Sequence, residues 1–320
     1  MRKSIIQYQA SLYLGISMMG FVTLIGACQQ GGMTTEPIEP DVEIVDTIKI
    51  ETLHSNFPAN GAVSIDENGD VYISEYGVYE GTGGNGTRIF KMTSEGEILD
   101  TLTDLSGPMG TKKDSQGNLY INNDNNTERG IILKVMPDGS RSDFATIPGW
   151  PSSMAMDADD NIYVSNYSAP TVHKITPEGV VSEYARDERL NGGVGIDFDS
   201  NGNLVLGNFF SAMIVSISPL GDVNEIVTIP NVVVQGWGLG YLTIIEDKIY
   251  TTGIAVSKVY QVELDGRVSV FAGDGQARVV DGPLLEASIS NPNGIGSDKK
   301  NNILYISEYG PNGGIRKIQL

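Results

Sequence analysis

The chain has 320 residues, with 40 acidic and 21 basic side chains, 39 glycines, one cysteine and two histidines. A formal net charge of −19 argues against a nucleic-acid partner, because affinity for a phosphate backbone comes mainly from lysine and arginine. A single cysteine excludes an internal disulfide framework and any Cys-x-x-Cys metal or redox motif. The high glycine content predicts a fold that is rich in turns.

The first residues read as an export signal. Met1-Arg2-Lys3 is basic, and residues 12–25 form an uncharged apolar run that is too short for a confident membrane span. The run ends in Ile25-Gly26-Ala27-Cys28, which resembles a bacterial lipoprotein signal. This resemblance implies cleavage before Cys28, a lipid on that cysteine and anchorage in a membrane, facing the periplasm or the cell surface, with the outer membrane favoured over the inner. A signal anchor with an incidental cysteine is the alternative.

Three regions follow from this interpretation. Residues 1–27 are the predicted lipoprotein signal peptide. Residues 28–41 comprise the lipidated cysteine and a polar segment with glycines and prolines, which predicts a flexible tether. Residues 42–320 are then the globular part of the chain.

An internal repeat runs through the globular part. An acidic residue, a short turn and a β-rich strand recur six times, with strand positions 48, 43, 42, 45 and 55 residues apart. In five copies a second strand follows, in which a lysine, serine or glutamine precedes a glycine by five residues. The six copies begin at Asp66, Asp114, Asp157, Asp199, Glu246 and Asp298, and the five glycines are Gly96, Gly139, Gly179, Gly221 and Gly266.

This period predicts an all-β fold, a six-bladed β-propeller built from four-stranded antiparallel blades. The last unit ends after its third strand, at residues 315–320. Residues 42–53 (VEIVDTIKIETL) have strand composition and no other partner. We therefore expect the N-terminal strand to complete the sixth blade and to close the ring.

The repeats resemble the six-bladed propellers of the NHL-repeat and SMP-30/gluconolactonase/LRE-like superfamily. The most specific stretch runs from Phe271-Ala-Gly-Asp-Gly to Pro292-Asn-Gly-Ile295, and the resemblance covers residues 42–320. For the lactonases of this group it implies a divalent cation in the central channel, held by a Glu at the start of the first blade and by Asn and Asp at later blade starts. Asn293 matches that pattern. The first blade instead starts with Asn60, and the starts of blades two to five carry Met109, Ser152, Gly192 and Trp237.

Loop lengths predict which face carries the function. The tight turns share one face, the turn face. The long segments 75–87, 123–130, 273–291 and 308–314 share the other, the long-loop face, and long loops on a rigid scaffold are where binding residues concentrate. Aromatic residues that could present flat apolar surfaces there are Tyr76, Tyr79, Trp150, Trp237, Tyr241 and Tyr309.

The polar residues at the loop starts are the candidate site. Carboxylates and amides together suit a hard cation such as Ca²⁺ or another divalent ion. The alternative is structural, with Glu or Asn bonding strand-end amides and the aromatic residues packing between blades. The candidate ligand-binding residues are Glu75, Asn123, Asn166, Asn208, Trp237 and Glu308, and the candidate metal ligands are Glu75, Asn60, Asn293 and Glu308.

Several other motifs in the sequence do not predict a functional site. The Gly-x-Gly-x-x-Gly match at residues 81–86 is followed by a strand instead of a helix, so it does not predict a dinucleotide site. Asp66 to Asp70 lacks the glycine and glutamate spacing of an EF-hand loop. His54 and His173 are expected away from the channel mouth. We expect no nucleotide, haem or iron–sulfur cofactor.

Two functions follow as hypotheses. The first is a lipid-anchored propeller of the cell envelope that binds a small ligand, a glycan or a polypeptide on its long-loop face. The alternative is a Ca²⁺-dependent hydrolase of lactones or esters, in which the cation polarises the carbonyl and activates water. Whether the chain is an enzyme is left open, and a purely structural scaffold is a third possibility.

Overall fold

A computed structural model describes residues 48–81, 83–123 and 129–320. Within these residues the regular structure is almost entirely β, with one short 3₁₀ helix, η1 (Glu188–Leu190). Their strands form six antiparallel sheets, one per repeat, as the sequence predicts. No helix in this part of the chain has the length and apolar character needed to cross a bilayer. The predicted lipidation site at Cys28 lies outside the described residues.

Each blade is built from consecutive strands, with its first strand nearest the central channel. After β1 (Lys49–His54), blade one contains β2 (Val63–Ile65), β3 (Val71–Ser74), β4 (Ile89–Met92) and β5 (Ile98–Leu102). Blade two contains β6 (Thr111–Lys113), β7 (Leu119–Asn123), β8 (Arg129–Val135) and β9 (Arg141–Pro148). Blade three contains β10 (Pro151–Met156), β11 (Ile162–Asn166), β12 (Thr171–Ile175) and β13 (Val181–Arg186).

The remaining blades follow the same order. Blade four contains β14 (Gly193–Phe198), β15 (Leu204–Asn208), β16 (Met213–Ile217) and β17 (Val223–Thr228). Blade five contains β18 (Leu239–Ile245), β19 (Lys248–Gly253), β20 (Lys258–Glu263) and β21 (Val268–Ala272). Blade six contains β23 (Pro292–Asp298), β24 (Ile303–Glu308) and β25 (Ile315–Gln319), then β1, with the short β22 (Gly282–Pro283) at its edge.

The repeated aspartate forms the turn between the first two strands of a blade. In blade two, one carboxylate oxygen of Asp114 accepts the backbone N–H of Gln116 at 3.0 Å and of Asn118 at 2.8 Å. Gly117 has a φ of +86°, a conformation in which glycine carries no steric cost. The same pair of bonds recurs at Asp66, Asp157 and Asp199. The repeat motif is therefore a turn that satisfies its own backbone.

Blade six meets blade one, which closes the ring. A buried apolar cluster joins Val71, Ile73 and Phe90 of blade one to Tyr305 and Ile315 of blade six. In the Pro-Asn-Gly motif, a Cβ at position 294 would collide with the carbonyl oxygen of Gly61, so glycine there permits the two blades to approach.

The expected closure by the N-terminal strand is confirmed for its described part. β1 pairs antiparallel with β25, with Ile50 opposite Ile318 and Glu51 opposite Lys317. Residues 42–47 of the predicted strand lie outside the described residues. On its other side β1 pairs with β22, a strand that the sequence did not predict because it is only two residues long.

A buried arginine connects the elements of this closure. The Arg316 side chain is fully buried and donates from Nη1 to Glu308 Oε1 and to the Ser288 carbonyl, each at 2.9 Å. Its Nη2 donates to Asp281 Oδ1 at 2.8 Å, and Asp281 in turn accepts the Thr52 hydroxyl of β1 at 2.6 Å. One guanidinium thus links β24, β25, the preceding connector and, through Asp281, the N-terminal strand.

We expect Arg316→Met to lower the free energy of unfolding by about 3–5 kcal/mol, because it leaves the buried Glu308 carboxylate without its cation. Chemical denaturation followed by circular dichroism measures this loss. The matched control is Arg88→Met, which removes the guanidinium from the more exposed pair with Glu75 and is expected to cost about 1 kcal/mol. Equal losses in the two variants would contradict the role given to Arg316.

Candidate functional site

The long-loop end of the central channel holds an aromatic cavity of about 310 Å³, which we call the bowl. All six blades or their connectors contribute to its wall, so the bowl exists only in the closed ring. Aromatic side chains dominate the lining. The lining residues are Tyr76, Tyr79, Gly83, Gly84, Met109, Trp150, Tyr167, Val194, Phe209, Phe210, Gly236, Trp237, Tyr241, Ile254, Asn293 and Tyr309.

The rings of the bowl contact one another in a continuous series. Centroid separations of about 4.5–7 Å are the range in which aromatic pairs attract. Phe210 adds further contacts to the series, at 5.0 Å from Tyr167 and 5.4 Å from Phe209. In order around the bowl the separations are 5.7 Å for Trp150–Tyr167, 5.5 Å for Tyr167–Phe209, 5.9 Å for Phe209–Trp237, 5.5 Å for Trp237–Tyr309 and 6.1 Å for Tyr309–Tyr76.

The repeat explains why these rings converge. Tyr76, Tyr167, Phe209, Ile254 and Tyr309 occupy the same position in their blades, just after the second strand. All five line the bowl. In five of the six blades this position therefore directs one large side chain toward the channel mouth. The corresponding residue of blade two is Asp124, which lies outside the described residues.

The asparagines that precede these rings hold the backbone. In blade three, Asn166 is fully buried; its Oδ1 accepts the Trp150 backbone N–H at 3.0 Å and its Nδ2 donates to the Pro148 carbonyl at 2.6 Å. In blade four, Asn208 Nδ2 donates to the Asn191 carbonyl at 2.7 Å. In blade two, Asn123 Oδ1 accepts the Ser106 backbone N–H at 2.8 Å. These three candidate residues are not in the bowl lining; two of them orient loops that carry it.

The two candidate carboxylates are each paired with an arginine. Glu75 receives Arg88 Nη2 at 2.7 Å and Nε at 2.9 Å, and this two-armed bond lowers the pKa of the Glu75 carboxyl. Glu308 is fully buried; besides Arg316 it accepts the backbone N–H of Ser290 at 2.9 Å and of Gly314 at 3.0 Å. Burial raises the pKa of Glu308 even with Arg316 beside it.

The remaining candidates lie where blades one and six meet. Asn293 lines the bowl, and its Nδ2 donates to the Asn60 carbonyl at 2.8 Å. The side chain of Asn60 is directed to Gly77, accepting its N–H at 2.9 Å and donating to its carbonyl at 3.0 Å. Trp237 lines the bowl and is 38% exposed.

Three tyrosines of the bowl, Tyr76, Tyr167 and Tyr241, stay protonated at neutral pH. Burial raises the pKa of Tyr167 to about 12 and raises the pKa values of Tyr76 and Tyr241 as well. These phenols can therefore donate hydrogen bonds but are poor general bases. His54 bonds the Gly96 carbonyl at 2.6 Å, His173 is buried in β12, and neither lines the bowl.

Among the described residues, no group of three or more His, Cys, Asp or Glu side chains has the geometry to hold a metal ion. Glu75 and Glu308 are already neutralised by arginine, and both polar ends of Asn60 are bonded to Gly77. These residues therefore do not fit a hard cation such as Ca²⁺, which takes six to eight oxygen ligands.

The bowl contains all six aromatic residues that the sequence assigned to the long-loop face, together with three rings that were not expected there. Trp150, Trp237, Tyr241, Tyr76, Tyr79 and Tyr309, expected to present apolar surfaces, all line it. Tyr167, Phe209 and Phe210 were not among the candidates. The sequence signal for Tyr167 and Phe209 was their recurrent position after the second strand. That position is equally typical of aromatic residues that pack between blades, so it did not identify them as bowl residues.

No protein-family model matches the chain, and no curated protein matches it. Solved structures do resemble it. An auxiliary nutrient binding protein from Bacteroides ovatus has a TM-score of 0.67 and 17% identity, over 85% of this chain and 76% of that one. A gluconolactonase from Xanthomonas campestris has a TM-score of 0.62 and 14% identity, over 85% and 90%. Virginiamycin B lyase from Staphylococcus aureus has a TM-score of 0.55 and 18% identity, over 81% and 79%. The TM-scores establish a shared fold, and at identities of 14–18% the likeness extends to the fold alone.

We expect Ca²⁺ to leave the melting temperature of the protein unchanged, because the candidate carboxylates are held by Arg88 and Arg316. A cation present at about 100 times its Kd would instead add about 2.7 kcal/mol of stability, or about 5 °C or more. Differential scanning calorimetry with and without Ca²⁺, with Mg²⁺ in parallel, makes the measurement. A Ca²⁺-dependent rise that Glu75→Gln abolishes would contradict this expectation.

Proposed function

We propose that this protein is a lipid-anchored binding module of the cell envelope that takes a small ligand, a glycan or a polypeptide segment into the bowl. The observation that carries the proposal is the continuous series of aromatic rings around a cavity of about 310 Å³. Small-molecule sites are concave, mostly apolar and about 300–1,000 Å³ in volume. Flat apolar rings suit a ligand that has a flat apolar face of its own.

The polar groups of the bowl support binding more than hydrolysis. Tyrosine hydroxyls and the Asn293 amide can orient a ligand, whereas the carboxylates expected to hold a catalytic cation are bonded to arginines. The fold resemblance to a nutrient-binding protein is compatible with this choice. Metal-dependent lactone hydrolysis is therefore the weaker hypothesis for this site.

Exposure of the rings adds to the argument for a ligand. Phe210 is 48% exposed, Tyr79 is 50% exposed and Trp237 is 38% exposed. Large apolar side chains gathered around a concave surface, and still open to solvent, are typical of a binding site. Covering them would contribute hydrophobic free energy of about 25 cal/mol per Å².

Intrinsic fluorescence offers a direct test, because the chain has two tryptophans and both line the bowl. We expect at least one class in a panel of oligosaccharides, aromatic small molecules and peptides to change the emission in a saturable manner. Phe210→Ala should weaken that binding by about tenfold, since it removes a ring that would contact the ligand.

The control for this test is Leu220→Ala. Leu220 is 90% exposed in a tight turn of blade four, on the turn face, so its loss should leave affinity unchanged. An unchanged emission across the panel, or equal weakening by the two substitutions, would count against the bowl as the binding site.

The membrane anchor rests on the residues before Cys28 and has a separate test. We expect metabolic labelling with an alkyne fatty acid in a bacterial host to modify the wild-type chain, and Cys28→Ser to abolish both the label and membrane fractionation. Ser4→Ala, a change outside the Ile-Gly-Ala-Cys motif, is the control and should keep both. Labelling that persists in Cys28→Ser would refute the anchor.

A further inference from the structure

A second cavity, of about 320 Å³, lies in the channel on the turn-face side of the bowl. We call it the lower chamber. Tyr241 lines both cavities, is 3% exposed and lies 3.4 Å from the Ser152 hydroxyl, measured between the two oxygen atoms. This side chain therefore separates an aromatic upper cavity from a lower one. The exposed residues Glu67 and Lys300 mark the opening of the chamber on the turn face.

The lower chamber is polar where the bowl is apolar. Hydroxyl groups of neighbouring inner strands bond in pairs along its wall, Ser64 to Thr111 and Thr243 to Ser297, the latter at 2.6 Å. Ser153 adds a further hydroxyl to the lining. Such hydroxyls can donate or accept, so they can adapt to a hydroxylated ligand.

The carboxylate of the chamber, Asp197, already has its partners. Oδ2 accepts the Ile244 backbone N–H at 2.9 Å and the Thr243 hydroxyl at 3.2 Å, and Lys299 Nζ lies 3.0 Å away. Oδ1 accepts the Phe198 backbone N–H at 2.9 Å. Burial would raise the pKa of Asp197, but the two ammonium groups of Lys299 and Lys112 hold it below its usual value.

Lys112 differs from Lys299 in having no such partner. It lies on β6, in the wall of the chamber, and within the described residues no hydrogen bond or ion pair reaches its ammonium group. Burial lowers the pKa of Lys112, with Asp197 opposing this effect and Lys299 adding to it. An unpaired ammonium in such a site is costly, so a counter-charge would stabilise it.

Lys299, whose side chain is 52% exposed, is paired with Asp197 at 3.0 Å, so among the described residues of the lining Lys112 is the one charge that is neither exposed nor held by a hydrogen bond or an ion pair. At the rim, Asp66 is paired with Lys113 at 2.9 Å, and Asp298 accepts the backbone N–H groups of its own turn. Glu67 and Lys300, both exposed, balance each other. A single unpaired ammonium in the wall of a cavity matches a monoanion better than a dianion.

We propose that the lower chamber binds a small hydroxylated monocarboxylate, with its carboxylate on Lys112 and its hydroxyl groups among the serines and threonines. This site is separate from the bowl and does not depend on what the bowl binds. The lysine would recognise the charge, and the hydroxyl pairs would recognise the polyol part of the ligand.

Titration calorimetry on the full chain in a nonionic detergent tests this site with glycerate as the probe. Glycerol carries the hydroxyls without the charge and acetate carries the charge without the hydroxyls, so both should bind more weakly than glycerate. Lys112→Met should lower the affinity for glycerate by about tenfold or more, the loss expected for a charge-assisted hydrogen bond. Lys112→Arg keeps the charge and should retain most of the affinity.

Two further readouts separate binding from structure. Lys112→Met should leave the melting temperature unchanged or raise it, because it removes a partly buried ammonium that has no ionic partner in the described residues. Glycerate affinity should also fall as the pH rises from about 7 to about 10, where Lys112 loses its proton before an ordinary lysine.

Lys174→Met is the matched control. Lys174 is on β12, outside the chamber, and its ammonium lies over the Tyr163 ring of β11. Its loss should leave glycerate affinity unchanged. Phe210→Ala should likewise have no effect on glycerate binding. The proposal is overturned if the wild type does not bind glycerate, if glycerol binds as tightly, if inorganic phosphate binds more tightly, or if Lys112→Met binds as well as the wild type.

Discussion

The molecule depends on one buried guanidinium at the point where the ring closes. Arg316 bonds Glu308 directly and reaches the Thr52 hydroxyl through Asp281, so three segments far apart in the chain meet on one side chain. Closure then brings blade six against blade one, where Ser307 donates to the Gly61 carbonyl at 2.5 Å. Because both cavities lie on the common axis of the blades, neither would have its shape in an open ring.

Two adjacent positions of the repeat have different roles, one structural and one in the lining of the bowl. In five blades an Asn or Glu stands at the end of the second strand, and it bonds backbone amides, carbonyls or an arginine, as Asn166 and Glu75 show; blade five has Gly253 there. The next residue, such as Tyr167 or Phe209, lines the bowl with its aromatic ring. Polar residues therefore supply rigidity, and the rings supply the surface for a ligand. A site supported in this way is preorganised, which lowers the cost of binding.

The fold could be predicted because its signals are local and repeated. Each Asp turn bonds amides two and four residues away, so the motif is visible in the sequence, and the missing outer strand of blade six pointed to the N-terminal strand. The pairing of Glu308 could not be predicted in the same way. Arg316 makes its other bonds 28, 35 and 36 residues away, and only the folded connector brings those groups together. Lys112, likewise, has the sequence appearance of an ordinary strand residue.

The acidity of the chain has a structural origin in part. Asp114, Asp157 and Asp199 each accept turn amides, and Asp160 and Asp247 accept the N–H of a serine in the preceding blade. Aspartate is thus used to satisfy backbone donors on the turn face, and the net charge accumulates there blade by blade. Fields from such exposed charges are screened within about 8–10 Å at physiological salt. An ammonium in the channel therefore responds mainly to the groups that touch its cavity, which is why the local pairing of Asp197 with Lys299 decides the chemistry of the lower chamber.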